Sequence, residues 1–415
     1  MENQLVAHFD LDTFFVSCER LVDPTLNGKA VIVGGTRSRG VVSTCSYETR
    51  AFGVHSGMPM AQALRLCPQA IVLKGTSGLY GKYSKMVTDI MAAEAPVLEK
   101  ASIDEFYLDV SGLEQNFGTY KWVCALADKV TNETGLPISF GLSTNKTMAK
   151  MATNAGKPNG RLYIPPDKVK AFLNPLPVSD IPMVGKSTCA KLNSLGIYKI
   201  KQLAEMSPEA VENIFGKYGK SLWRKANGVH YGKVAPYSER KSISVERTFF
   251  QNTYDIESLQ TLIGQMCEKL AFQLRSEGKL ASCVAVKIRY PDFSTYSQQV
   301  KIPVTNYDQI FAKHAKELLL KVYKKNEPLR LMGVRLSNLV KEGYQYDIFY
   351  DDPKLDELYG AIDSVKGKFG KASLQWLSSK ADKEAVKKEK RFNLNRTDVN
   401  SDPDLIGRKN IKGKD

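Results

Sequence analysis

The chain has 415 residues, 43% hydrophobic and 25% charged, with a net charge of +15, the profile of a globular protein large enough for two to four domains. No apolar run approaches the roughly 18 residues of a membrane span, and the N-terminus lacks a signal-peptide pattern. Seven scattered cysteines without a CxxC pair and four unpaired histidines argue against a disulfide scaffold, a zinc site or a histidine-based centre, and predict a cytoplasmic protein. The charge is uneven: +2 over residues 1–170, +5 over 171–240, +5 over 241–350, −1 over 351–379 and +4 over 380–415. Such a gradient suits a nucleic acid held by the middle and end of the chain, although a solvated basic surface would carry the same charge.

Leu5 to Asp12 alternates, with Leu5, Ala7, Phe9 and Leu11 on one face and Val6, His8, Asp10 and Asp12 on the other, which predicts a strand with one apolar face and an acidic end. Thr13 to Val22 reads as a helix with Asp12 as its N-cap. Asp10 has no such structural task. Two short β-rich runs, Ala30–Val33 and Val41–Thr44, precede Ser46-Tyr47-Glu48-Thr49-Arg50, where Tyr47 and Arg50 share one face of a helix start. A phenol and a guanidinium at a helix N-terminus can clamp phosphates, or can be surface decoration. Met58 to Leu64 and residues 80–95 read as helices.

Around Ser102-Ile103-Asp104-Glu105, flanking apolar residues predict two short strands kinked at the acidic pair. Two adjacent carboxylates in a half-buried strand repel each other, and a divalent cation relieves that best. An acidic hairpin tip fits the same run, so a metal site needs a third ligand elsewhere. Asp10, at the end of a separate strand, would supply it. A two-metal phosphoryl-transfer centre needs carboxylates from separate strands to bridge ions about 3.5–4 Å apart.

His8-Phe9-Asp10-Leu11-Asp12-Thr13-Phe14-Phe15 together with Ser102-Ile103-Asp104-Glu105 resembles the signature pair of the Y-family, translesion DNA polymerases, of the DNA polymerase IV type. The resemblance implies that Asp10, Asp104 and Glu105, helped by the Leu11 carbonyl, hold two Mg2+ ions, with Mn2+ able to substitute. It makes Phe15 the steric gate beneath the sugar, Tyr47 and Arg50 triphosphate contacts, and Ser43 and Thr44 the roof over the new base pair. For Phe14 a core role and a nucleotide contact coexist.

Residues 119–134 read as a helix, Ile138–Ser143 as a strand and Asn145–Asn154 as a helix, followed by the breaker Gly156-Lys157-Pro158-Asn159-Gly160. The element order matches a ferredoxin-like palm, and the family likeness assigns Lys157 to the triphosphate. Residues 180–203 resemble a helix-hairpin-helix in which Val184, Gly185 and Lys186 grip a DNA phosphate, with Met183 standing where glycine is common. Arg240–Ser244 looks like a linker. Beyond it, Leu259, Leu262, Ile263, Met266, Leu270 and Leu274 form a helical stripe. Strands are predicted near 283–290, 295–302 and 330–338, with a helix near 307–324. Val284, Val286, Ile288, Val334 and Leu336 would face the helices, while Lys287, Arg289, Lys301, Arg335 and Ser337 would face a DNA backbone. Gln345-Tyr346-Asp347-Ile348-Phe349 resembles a sliding-clamp peptide through Gln345, Ile348 and Phe349.

These observations predict a multidomain α+β protein shaped as a right-hand polymerase, with a ferredoxin-like antiparallel palm and a separate α+β little finger. The expected palm is 1–20 and 76–170, the fingers 21–75, the helix-hairpin-helix thumb 171–238, a linker 239–245 and the little-finger DNA-binding domain 246–342. A clamp peptide with C-terminal helices follows at 343–379, and a basic tail, predicted disordered, at 380–415. The expected activity is low-fidelity, template-directed extension of a primer with dNTPs across damaged template by a monomer, since no proofreading motif is visible. A polymerase V-type subunit that needs accessory proteins, a palm-type nucleotide cyclase and a non-catalytic clamp-tethered DNA binder are the rivals.

Overall fold

Two units, Met1–Ser238 and Glu239–Asp415, make up the chain in this computed structural model, which describes residues 4–113, 118–236, 239–324, 326–341, 353–370 and 373–374. The first unit opens with β1 (Val6–Leu11) and α1 (Phe14–Val22). A small sheet follows, from β2 (Val31–Gly34), β3 (Val42–Cys45), α2 (Tyr47–Arg50), α3 (Met60–Leu66) and β4 (Ile71–Leu73), with strand order β3-β2-β4. The chain then continues through α4 (Leu79–Glu94), β5 (Val97–Lys100), β6 (Glu105–Asp109), α5 (Thr119–Thr134), β7 (Ile138–Ser143), α6 (Lys146–Gly156) and β8 (Arg161–Tyr163).

β1 lies at the centre of the palm sheet, whose order is β5-β6-β1-β7-β8, and pairs antiparallel with both β6 and β7. One face buries Phe9, Leu11, Phe106, Leu108, Phe140 and Leu142 with residues of α4 and α5. A fully buried side chain of this size contributes roughly 1.5–3 kcal/mol. The alternation in β1 is real, but its second face is not open: all six residues are buried, and α6 covers Val6 and His8. Gly141 makes that cover possible. A Cβ there would sit 2.2 Å from the Ala149 carbonyl oxygen, so only glycine lets α6 lie directly on β7. Asn145 caps α6 by accepting from Met148 N at 3.1 Å.

Asp12 does not cap α1, contrary to the sequence expectation. Thr13 occupies the N-cap position with a left-handed φ of 44° and no side-chain cap bond, which turns the Asp12 side chain away from the helix start.

The thumb is helical: α7 (Val169–Leu173), α8 (Lys186–Ser194), α9 (Ile200–Ala204), α10 (Pro208–Phe215) and α11 (Lys217–Ala226). Met183, in the hairpin before α8, has φ 77° and is 80% exposed. A left-handed backbone explains why glycine suits that position and methionine strains it. Two bonds hold the hairpin: Tyr218 Oη donates to the Met183 carbonyl at 3.0 Å, and the buried Lys225 donates to the Pro182 carbonyl at 3.1 Å.

The second unit contains β9 (Ser242–Thr253), α12 (Ile256–Ser276), β10 (Lys279–Arg289), β11 (Thr295–Thr305), α13 (Asp308–Val322), β12 (Leu329–Lys341) and α14 (Pro353–Phe369). Its sheet has the order β11-β10-β12-β9. The 12-residue β9 starts inside the stretch expected to be linker; its polar alternation, with exposed Ser242 and Ser244, masked an edge strand. Val284, Val286, Ile288, Val334 and Leu336 pack with α12 and α13 as expected. α14 is pinned to the same unit by its side chains. Arg275 Nε lies 2.6 Å from Asp363 Oδ2, and the Arg275 guanidinium sits 4.4 Å above the Tyr359 ring. Tyr359 stacks on Tyr307 at 5.2 Å and donates to Asp308 at 2.6 Å. The second helix expected before residue 379 and the tail beyond it lie outside the described residues.

Candidate active site

Pairing between β1 and β6 builds the site. Asp10 stands opposite Glu105 across the two strands, and Leu11 N donates to the Asp104 carbonyl at 3.1 Å, so three carboxylates gather at adjoining strand ends. Ser102 shapes the turn that feeds Asp104 and Glu105 into place. Its hydroxyl accepts from Asp104 N (3.2 Å) and Glu105 N (2.9 Å) and donates to Asp104 Oδ1 (2.5 Å). The kink read from the sequence is therefore a serine-fixed turn between β5 and β6.

Each carboxylate has its own partner. Lys157 forms an ion pair with Asp10, and Lys150 Nζ lies 2.5 Å from Glu105 Oε2. His8 Nε2 lies 3.7 Å from the same Glu105 oxygen, too far for a hydrogen bond. Burial pushes the Asp10 carboxyl up to about 6; Lys157 opposes the rise, and the neighbouring charges of Glu105 and Asp104 add to it. Glu105 is held below the usual carboxylate range against burial, and its bonded cationic partner is Lys150, His8 standing too far off to bond. Burial also lowers the His8 pKa, which keeps its ring neutral, so Lys150 is the direct partner.

Asp12 is the unexpected hub. It is almost fully buried and accepts from Tyr47 Oη (3.1 Å), Ser139 Oγ (2.7 Å) and Asn159 N (2.8 Å), with Lys157 Nζ 3.9 Å away. Through Asp12 the small sheet's Tyr47 meets Lys157 from the loop after α6. The Arg50 guanidinium lies 4.9 Å from the Tyr47 ring centre, so Tyr47, Arg50 and Lys157 line one side of the carboxylates. Phe14 is buried in the palm core. Phe15 is half-buried and stacks on Tyr80 at 4.0 Å and 10°, and Tyr80 donates to Glu19 at 2.5 Å. Thr44 is partly exposed on β3, opposite Val33.

Lys150 and Tyr80 escaped the sequence reading, and Asp12 was read only as an N-cap and as part of the signature stretch. For Lys150 a signal was present: Lys146 and Lys150 are four residues apart on one face of α6. Asp12 and Tyr80 act through residues distant in sequence, which spacing does not reveal.

Elsewhere, Gly185 occupies the N-cap position of α8, with Val184 before it and Lys186 at the first helical position. Register places Lys287 and Arg289 of β10, Lys301 of β11 and Arg335 of β12 on one sheet face. One of these four charges meets an acidic partner and two more are held by neutral acceptors. Lys287 pairs with Glu246 of the unforeseen β9 at 2.9 Å, Arg289 donates to Thr295 at 2.8 Å and Arg335 to Gln299 at 3.2 Å. Gln345, Ile348 and Phe349 lie outside the described residues.

Among the described residues no three acidic, histidine or cysteine side chains are already drawn together as a metal cage. The donor chemistry nevertheless fits divalent cations: Asp10, Asp104 and Glu105 sit at adjoining strand ends, and burial, with the charges of Glu105 and Asp104, makes Asp10 hard to ionise without a cation. The folded protein binds a proton at Asp10 more readily than the unfolded one. Ionised Asp10 therefore costs stability, and the metal-free protein gains about 3 kcal/mol from this group as pH falls through about 6 towards 4. Asp10→Asn is expected to raise the melting temperature in EDTA at pH 7.5 and to flatten its rise on acidification. An unchanged or lower melting temperature would show that Asp10 is comfortable as an anion.

A carboxylate-ended ferredoxin-like palm with Tyr47, Arg50 and Lys157 beside the carboxylates, a helical hairpin module and a separate α+β unit defines a nucleotidyl-transferring polymerase. The impB/mucB/samB family matches residues 9–154, its helix-hairpin-helix motif 166–197 and its C-terminal domain 240–348. DNA polymerase IV of Dehalococcoides mccartyi (strain ATCC BAA-2266 / KCTC 15142 / 195) is 37% identical over 374 residues, covering 89% of this chain and 96% of that protein. DNA polymerase IV of Methanoculleus marisnigri is 38% identical over 341 residues, covering 81% and 95%. Among solved structures, a chimera of the Y-family DNA polymerases Dbh and Dpo4 superposes with a TM-score of 0.73 at 28% identity, covering 81% of this chain and all of that one. An insertion ternary complex of Dbh DNA polymerase gives 0.60 at 27% identity with the same coverage. The chain belongs to the Y-family of DNA polymerases, of the DNA polymerase IV type.

Proposed function

We propose that this translesion DNA polymerase joins dNTPs to a primer 3′-hydroxyl at Asp10, Asp104 and Glu105, which hold two Mg2+ ions, with Mn2+ able to replace them. The β1–β6 register that sets Asp10 against Glu105 carries this reading. The bound ions would activate the primer hydroxyl and neutralise charge on the transferring phosphate. Asp10, Asp104 and the Leu11 carbonyl would hold the ions, and Glu105 would serve mainly activation of the primer hydroxyl. Lys157 exchanges Asp10 for the triphosphate, which Tyr47 and Arg50 also receive; Phe14 and Phe15 lie under the nucleotide and Thr44 above it. Val184, Gly185 and Lys186 take a phosphate of the primer–template duplex, and Lys287, Arg289, Lys301 and Arg335 take its backbone. Gln345, Ile348 and Phe349 reach the sliding clamp. The protein works as a monomer in the cytoplasm, and its seven free cysteines suit that reducing compartment.

The purified chain alone is expected to extend a primed template with Mg2+, to stop in EDTA and to resume when Mg2+ is restored. Extension that needs added proteins would favour the polymerase V-type alternative. A DNA-independent cyclic nucleotide product would favour the cyclase.

A further inference from the structure

Helix α6 directs three lysines at acidic side chains of the palm sheet. Lys146 Nζ lies 2.6 Å from Glu99 Oε1, Lys150 Nζ lies 2.5 Å from Glu105 Oε2, and Lys157 at the helix end pairs with Asp10. Lys157 has a task in the proposed chemistry, and Glu99, on the neighbouring strand β5, is not one of the proposed metal ligands. Lys150 sits on a proposed metal ligand with no task assigned to it.

We infer that Lys150 is a positioning residue for Glu105, holding Oε2 against α6 so that Oε1 is the oxygen left for the primer-end ion. Glutamate has three rotatable side-chain bonds, and Glu105 stands next to Asp104 and opposite Asp10, whose charges would drive it out towards solvent. A cation on a packed helix opposes that drift. Among the described residues, Lys150 makes the one side-chain hydrogen bond to the Glu105 carboxylate. His8 forms a wall beside the same oxygen and is itself fixed by Thr153 Oγ1, 2.8 Å from its Nδ1, but it does not bond Glu105. The helix is rigidly seated because Gly141 lets it touch β7 backbone to backbone. Partners that orient a metal ligand in this way change metal affinity or activity roughly 10–100-fold when removed.

The inference rests on Glu105 being a metal ligand, so the test includes that residue. Lys150→Met, Lys150→Gln and Lys150→Arg are compared with Glu105→Gln in the full chain. One readout is steady-state primer extension. The other is Mn2+ binding, followed by electron paramagnetic resonance, to enzyme holding a dideoxy-terminated primer–template and dNTP, where no reaction occurs. Lys150→Met and Lys150→Gln should lose roughly 10–100-fold in kcat with the dNTP KM within about threefold, and should weaken Mn2+ at one of two sites about tenfold. Lys150→Arg should recover most of both. Wild-type kcat and Mn2+ binding in both neutral variants would overturn the inference. So would equal losses in kcat and duplex affinity that arginine does not rescue, which would mark a merely structural lysine. If Glu105→Gln also keeps its kcat, the assignment of Glu105 itself fails. If Glu105→Gln is inactive while the neutral Lys150 variants are not, only the role of Lys150 falls.

Discussion

Asp104→Ala/Glu105→Ala loses at least roughly 1000-fold in primer extension with Mg2+. Metal-held phosphoryl transfer draws several kcal/mol of transition-state stabilisation from its ions, and each 1.36 kcal/mol is a factor of ten in rate. The double variant leaves Asp10 as the last of the three carboxylates, opposite an alanine. Folding should survive. Both substitutions sit at a serine-fixed turn, remove like charges around Asp10, and free a Lys150 side chain that is already 26% exposed. The control is therefore a melting temperature in EDTA no lower than wild type, together with unchanged duplex binding. Extension at the wild-type rate would remove the acidic pair from catalysis. Single variants divide the labour: Glu105→Ala should depress kcat more than dNTP affinity, and the reverse would reassign it to the nucleotide-bound ion.

Phe15→Ala opens the sugar pocket to ribonucleotides, with a loss of dNTP/rNTP discrimination of roughly 100-fold or more, since a steric block of a few kcal/mol disappears. The gate has a backing plate. Phe15 lies flat on Tyr80, whose hydroxyl is tied to Glu19 and accepts from Thr76 N at 3.2 Å. An aromatic pair is worth about 1 kcal/mol beyond its buried area. Tyr80→Leu should therefore loosen discrimination by up to roughly tenfold without touching the nucleotide. Single-nucleotide incorporation with matched dNTP and rNTP measures both effects. An unchanged preference in Phe15→Ala would strip Phe15 of the gating role.

Much of the site was legible because its residues sit in continuous patterns. Alternation in β1 placed Asp10 at a strand end, and the flanking apolar residues put a kink at Asp104-Glu105. What sequence could not supply was partnership across the fold. Asp12 looked like an N-cap because the residue before a helix usually is one, yet Ser139 and Asn159, more than a hundred positions away, claim its oxygens. Tyr80 sits on an amphipathic helix like any other aromatic residue and becomes relevant only when it meets Phe15. β9 was lost because an edge strand alternates polar with half-buried residues and resembles a linker. Missing it concealed Glu246, the acidic partner of Lys287.

The placement of α14 changes how the proposed clamp docking can be dissected. Tyr359 is nearly inaccessible, and its hydroxyl serves the buried Asp308. Cutting the chain back to Lys341 to delete Gln345–Phe349 would also strip Tyr307, Asp308 and Arg275 of the helix that covers them. Lost processivity in such a deletion would conflate a missing tether with a damaged DNA-binding module. Side-chain replacements inside the peptide, with α14 left in place, keep the two effects apart.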